Sequence, residues 1–148
     1  MRPNIPVVFQ TVAADLMMRV LPAISPTYHQ GTVGMIATLL VIAADEWDRG
    51  ASRRLEENQA MRDLFRKAAP VVSDKALSDR LKQLASSSDT DYRVSALEDN
   101  NCALRAALIE LHTQIESQSG NEAREIENAI WKEIAKSTER RRLSTAAF

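Results

Sequence analysis

The densest group of residues able to do chemistry is AADEWDRG, Ala43 to Gly50. Asp45, Glu46 and Asp48 follow the most apolar stretch of the chain, with Trp47 and Arg49 interleaved. A carboxylate drawn partly out of water beside a tryptophan ring titrates closer to neutrality and can then move protons. Tyr28-His29-Gln30 is a second polar cluster at the head of the same segment. Tyr28, His29, Asp45, Glu46, Trp47 and Arg49 are therefore the candidate ligand cleft. A plainer reading uses the same residues. Asp45 and Arg49, one helical turn apart, make an ion pair, Trp47 is core, and Glu46 and Asp48 face water. His29 shares a face with Val33, Ile36 and Leu40, which predicts a buried, satisfied histidine rather than a general base.

The other reactive side chains form no recognisable constellation. A di-iron bundle needs Glu-x-x-His on two helices, and the residues three before His29 and His112 are Pro26 and Ile109. There is no His-Glu-x-x-His, no Cys-x-x-Cys and no glycine-rich phosphate loop. His112 and Glu116 are one turn apart, a spacing that predicts a surface contact rather than two metal ligands. Cys102 lies on an apolar strip with no base near it in sequence, as a small core residue would. No catalytic residue, metal ligand or cofactor is assigned.

The elements that must position these groups are helical. Ala, Leu, Arg and Glu dominate over four glycines and five prolines, and unbranched side chains lose little entropy in a helix. Apolar pairs recur every four residues from Val8 to Leu21, and Pro22 ends that stripe. Ser25-Pro26 opens the next helix. Its VGMIATLLVIAA segment is apolar nearly all round, which predicts the central buried helix. The stripe Ile36, Leu40, Ala43, Trp47, Ala51, Leu55, Asn58, Met61, Phe65, Ala68 passes Gly50 without losing phase. One long helix over 26–68, closed by Pro70, is favoured over two helices with Ser52 capping the second. Ser73 caps a third helix with stripe Leu77, Leu81, Leu84, and SSSDTD is a polar connection. A long helix over 92–118 follows, then a glycine stop at Ser119-Gly120-Asn121 and a last helix carrying Ala123, Ile126, Ile130 and Ile134. No segment alternates at period two, so no sheet is expected.

Val94, Leu97, Asn101, Leu104, Leu108, Leu111 and Ile115 follow three-four spacing over three heptads, a coiled-coil-like seam with one polar slot. The strip Cys102, Ala106, Ile109 beside it widens the face, as in a bundle wall. Asn58 holds an equivalent polar slot in the second helix. Either the two asparagines meet in one buried contact, or both sit in water at the edge of their stripes. The segments LEENQAMR (from Leu55) and LEDNNCALR (from Leu97) echo each other weakly, as amphipathic helices often do.

The expected fold class is thus all-α, an antiparallel bundle of five to six helices with a C-terminal coiled-coil hairpin as an option. A single domain over 1–138 precedes a flexible basic tail over 139–148. The candidate helix–helix interface is Asn58, Leu97, Asn101, Leu104, Leu108, Leu111 and Ile115. A net charge of −1 attracts neither nucleic acid nor anionic membrane. The basic run between Arg49 and Lys67 alternates with acids, and the residues before the seam are acidic, which excludes a basic zipper. One cysteine gives no internal disulfide and a reducing, cytoplasmic setting. Val7-Val8-Phe9 is too short for a signal core, and Val33–Ala44 falls short of the roughly twenty residues of a membrane span. The leading expectation is a non-enzymatic interaction or assembly module that binds a like or unlike protein partner. A helical enzyme or small-molecule binder at the candidate cleft is the alternative.

Overall fold

The computed structural model describes residues 3–143. Among them are five α-helices and no strand: α1 (Ile5–Asp15), α2 (Thr27–Ala68), α3 (Lys75–Ser86), α4 (Val94–Glu116) and α5 (Asn121–Arg140). The fold is an all-α helical bundle. Helix α2 runs unbroken through Gly50 for 42 residues, as the unshifted stripe requires. Among the described residues the chain nevertheless divides into two compact units, 3–50 with Leu143, and 51–142.

The first unit holds α1 and the beginning of α2. Asn4 accepts the Val7 N–H as N-cap, and Pro6 lies in the first turn, where its missing N–H costs nothing. The helix loosens into a π turn at Leu16–Val20 and a 3-10 turn at Leu21–Ala23 because Pro22 cannot continue regular hydrogen bonding. The side-chain amide of Gln30 then donates to the Ile24 carbonyl at 2.8 Å and holds the turn into α2.

The apolar stretch of α2 does not form a buried centre. Ala37 and Ala44 are buried, whereas Met35 is 59% exposed, Ile36 44%, Leu39 56% and Trp47 65%. The helix is apolar on all sides, and this unit covers only part of it. Val7, Val8, Val12, Met17 and Met18 of the N-terminal segment are exposed as well. Ile5–Ala23 is long and apolar enough to cross a membrane by length and composition. Gln10 and Thr11 interrupt its sequence but not its helix, which is why the run Val7–Phe9 understates it.

The second unit has a dense core. Phe65, Leu81, Leu104, Leu111, Ile115 and Ile130 are buried together with Met61, Leu64, Ala107 and Ile126. Each large side chain so buried contributes roughly 1.5–3 kcal/mol of transfer free energy. α2 stops at Ala68 ahead of Pro70, and the Ser78 hydroxyl donates to the Ala69 carbonyl at 2.6 Å. Asp74, one residue beyond the expected Ser73, caps α3 by accepting the Leu77 N–H at 3.0 Å. α4 and α5 run in opposite directions, so Arg105 meets Ser137 and His112 meets Trp131. Gly120 between them has φ +125°, a conformation L side chains rarely adopt. The expected basic tail begins instead as helix, since α5 extends to Arg140; residues 144–148 of that stretch lie outside the described residues.

Candidate functional site

The chemically densest place in the molecule is a buried polar chain inside the second unit. It starts at Glu57, which α2 buries beside its own core residue Met61. The two carboxylate oxygens accept five hydrogen bonds. Oε1 takes Ser137 Oγ at 2.9 Å and Arg141 Nε at 2.8 Å. Oε2 takes Arg141 Nη2 at 2.8 Å, Arg105 Nη2 at 3.1 Å and Asn101 Nδ2 at 3.1 Å. Burial pushes the Glu57 carboxyl up, but the bonds from Arg141, Ser137 and Arg105 outweigh it and bring it down to about 2.

Asn101 and Asn58 carry the chain onward. The Asn101 amide spends its second N–H on Asn58 Oδ1 at 2.9 Å, while its oxygen accepts Arg105 Nε at 2.8 Å and Arg141 Nη2 at 3.3 Å. Asn58 spends its two N–H groups on the Leu97 carbonyl at 3.2 Å and on Asp89 Oδ1 at 3.1 Å. Both amides have every donor and acceptor engaged, as full burial demands. At the far end Arg62 grips Asp89 as a two-pronged fork, 2.7 and 3.0 Å, and its Nε donates to Ser87 Oγ. The side chains of this pair are 4% and 5% exposed. The Arg62 guanidinium, aided by Asn100 and Asn58 and opposed by burial, holds the Asp89 carboxyl below its ordinary value.

This arrangement ties α2, α4 and α5 to one another through a single carboxylate. A carboxylate with its oxygens saturated and a pKa near 2 is a weak general base, and it has no open lone pair for a metal. The cavity beside it, bordered by Met61, Arg105, Leu108, Ser137 and Arg141, has a volume of about 150 Å³. That is well below the roughly 300–1,000 Å³ typical of small-molecule sites.

The residues of the expected cleft are not brought together. Tyr28 and His29 are exposed at the start of α2, and His29 is not the buried histidine its apolar neighbours implied. Tyr28 and Asp45 stand seventeen positions apart on continuous helix, about 26 Å at the helical rise, so one small ligand cannot touch both. Trp47 is exposed rather than core. Asp45 and Arg49 lie 3.5 Å apart as a one-turn ion pair. With Asp48 they border an open groove of about 730 Å³ between α1 and α2, otherwise lined by residues such as Val7, Ala13, Met17, Val41 and Ile42. Glu46, half-buried, is not among the residues lining it.

The seam is consumed within the unit. Asn58, Leu97, Asn101, Leu104, Leu111 and Ile115 are buried, and Leu108 packs against the same core. They form a bundle wall within the unit. The second strip faces the other way: Cys102, Ala106 and Ile109 are exposed. A strip of one Cys, one Ala and one Ile is too small to demand a second neighbour. Basic residues of the α2 run are likewise paired: Arg62 with Asp89, Arg54 with Glu98 and Arg66 with Asp63. Asp89 is among the site residues that sequence reading missed, together with Glu57, Arg105, Ser137 and Arg141. It sits in a connection whose composition signals only a loop, and nothing local marks it as the counter-charge of Arg62. Comparison of the chain with family models, with curated proteins and with solved structures finds no match.

Proposed function

We propose that this chain is a non-enzymatic assembly module. The second unit is its rigid, self-satisfied bundle, and the apolar face of the first unit is the surface that takes a protein partner. The observation that carries this reading is the exposure of Met35, Ile36, Leu39 and Trp47 on one helix. A monomeric soluble protein rarely leaves several hundred Å² of contiguous apolar surface in water. The partner is a second copy or another protein with an apolar helical face, and cyclic pairs of like chains are the commonest case. The saturation of Glu57 supports the non-enzymatic half of the reading.

Light scattering on the purified chain from 1 to 200 µM, alongside Leu39→Glu, tests it. The expected result is a mass of two or more chains, or a crosslinked heteromeric species from lysate, that Leu39→Glu abolishes. A monomer at every concentration, with no crosslink sensitive to position 39, overturns it. So does flotation with lipid vesicles as the sole association, because Ile5–Ala23 then acts as a membrane segment.

The groove favours a second reading, a small apolar ligand held between α1 and α2 with its polar end at Asp45, Asp48 and Arg49. Native mass spectrometry of protein extracted gently from cells would show a bound mass, lost in Ala13→Trp, which fills the groove. Its absence removes this reading.

A further inference from the structure

We propose that His112, Glu116 and Glu127 form a zinc site that clamps α4 to α5. One ligand atom from each of these side chains lies within 4.8 Å of the others. His112 and Glu116 share one face of α4 at a one-turn spacing, and Glu127 approaches from α5. The Nε2 atom of His112 is shielded from water and makes no hydrogen bond, an arrangement that carries a desolvation cost unless something occupies the atom. Its nearest carboxylate oxygen, Oε1 of Glu116, is 3.4 Å away. That contact is an ion pair only when the ring is protonated. A divalent cation satisfies all three groups at once.

The spacing suits zinc. Zn–N and Zn–O bonds of about 2.0–2.2 Å at a tetrahedral angle put ligand atoms about 3.4 Å apart. His112 and Glu116 already stand at that separation, and Glu127 closes the remainder by rotating its side chain. One imidazole and two carboxylates leave a fourth position for water. Trp131 meets the imidazole edge to face, with ring centres 5.1 Å apart, and so limits rotation of the ring. The clamp lies towards the α4–α5 connection, while Arg105, Ser137 and Arg141 tie the same two helices at their other end. Sequence spacing could reveal only the pair His112 and Glu116; Glu127 joins them through the antiparallel packing of α4 and α5.

Zinc chloride titrated into the metal-free full chain at pH 7, with a chromophoric chelator as competitor, tests this. One equivalent is expected to bind at micromolar or tighter Kd, and cobalt(II) in its place should give visible absorption bands of a tetrahedral ion. His112→Ala should weaken binding at least a hundredfold and Glu127→Gln at least tenfold, each with an unchanged helical circular dichroism spectrum. At equal concentration zinc should raise the Tm of the parent chain more than that of Glu127→Gln. Cys102→Ser and His29→Ala should bind as the parent does. Binding that survives His112→Ala, that is lost in Cys102→Ser, or that is absent at 100 µM zinc overturns the proposal.

Discussion

Replacing Glu57 by Gln removes one charge and no volume, and the structure says what this should cost. The carboxyl is held from 4.5 down to about 2, and at about 1.4 kcal/mol per tenfold change in proton affinity this amounts to about 3 kcal/mol favouring the folded, ionised state. A buried pair broken on one side costs about 3–5 kcal/mol when the survivor stays buried. Here Arg105 and Arg141 are 41% and 46% exposed in their side chains, so both can turn to water and the loss sits at the lower end. We expect Glu57→Gln to lose about 3 kcal/mol at pH 7, a fall in Tm on the order of 10 °C. The pH dependence is the sharper part. Because the folded pKa is depressed, the stabilisation is complete above the unfolded value near 4.5 and is lost as pH falls towards about 2. The gap between parent and variant should therefore be constant from pH 7 to 5 and narrow steadily below 4.5. Urea unfolding followed by circular dichroism across this range reads both numbers. A gap under 1 kcal/mol at pH 7, or one that does not narrow in acid, would refute the reasoning.

At the other end of the buried chain, Arg62→Met or Asp89→Asn alone should cost about 3–5 kcal/mol in urea unfolding, and the combined Arg62→Met/Asp89→Leu variant less than the sum of its parts. Asn58→Leu and Asn101→Leu should couple by at least about 1 kcal/mol in a double-mutant cycle, since each satisfies the other's amide. Asp74→Ala should lower stability by about 1 kcal/mol through loss of the α3 cap, whereas Ser73→Ala should be nearly silent. Cys102 is exposed, so a thiol reagent should label it in the native chain at the rate seen after unfolding; protection would place it back in a core.

What was legible in the sequence follows from which forces are local. Helix α2 was readable across Gly50 because an apolar stripe records its phase residue by residue. The α4 wall was readable for the same reason, down to its polar slot at Asn101. Caps were readable to within one residue, since Ser73 and Asp74 both carry suitable oxygens and only tertiary fit selects between them. Burial was less legible. The VGMIATLLVIAA segment has the composition of a core helix, but composition does not say how many neighbours a helix has, and Met35 and Leu39 stay open. The cleft is not formed for a geometric reason, because Tyr28 and Asp45 sit at opposite ends of a stretch of unbroken helix. The polar chain was half visible. Asn58 and Asn101 advertised themselves by interrupting apolar stripes, whereas Asp89 and Arg141 lie in segments whose composition reads as loop and tail. The echo of LEENQAMR in LEDNNCALR does not extend to function. Glu57 is buried and bonded five times, and Asp99, its counterpart in the second segment, is exposed.

Site-specific photocrosslinking tests the central claim most directly, because two exposed apolar positions compete as the docking surface. A photoreactive phenylalanine derivative would replace Leu39 on the open face of α2 in one protein and Ile109 on the outer strip of α4 in another. A discrete crosslinked protein band is expected from position 39 and none from position 109. Crosslinks from position 109 alone, or from neither position, would contradict it.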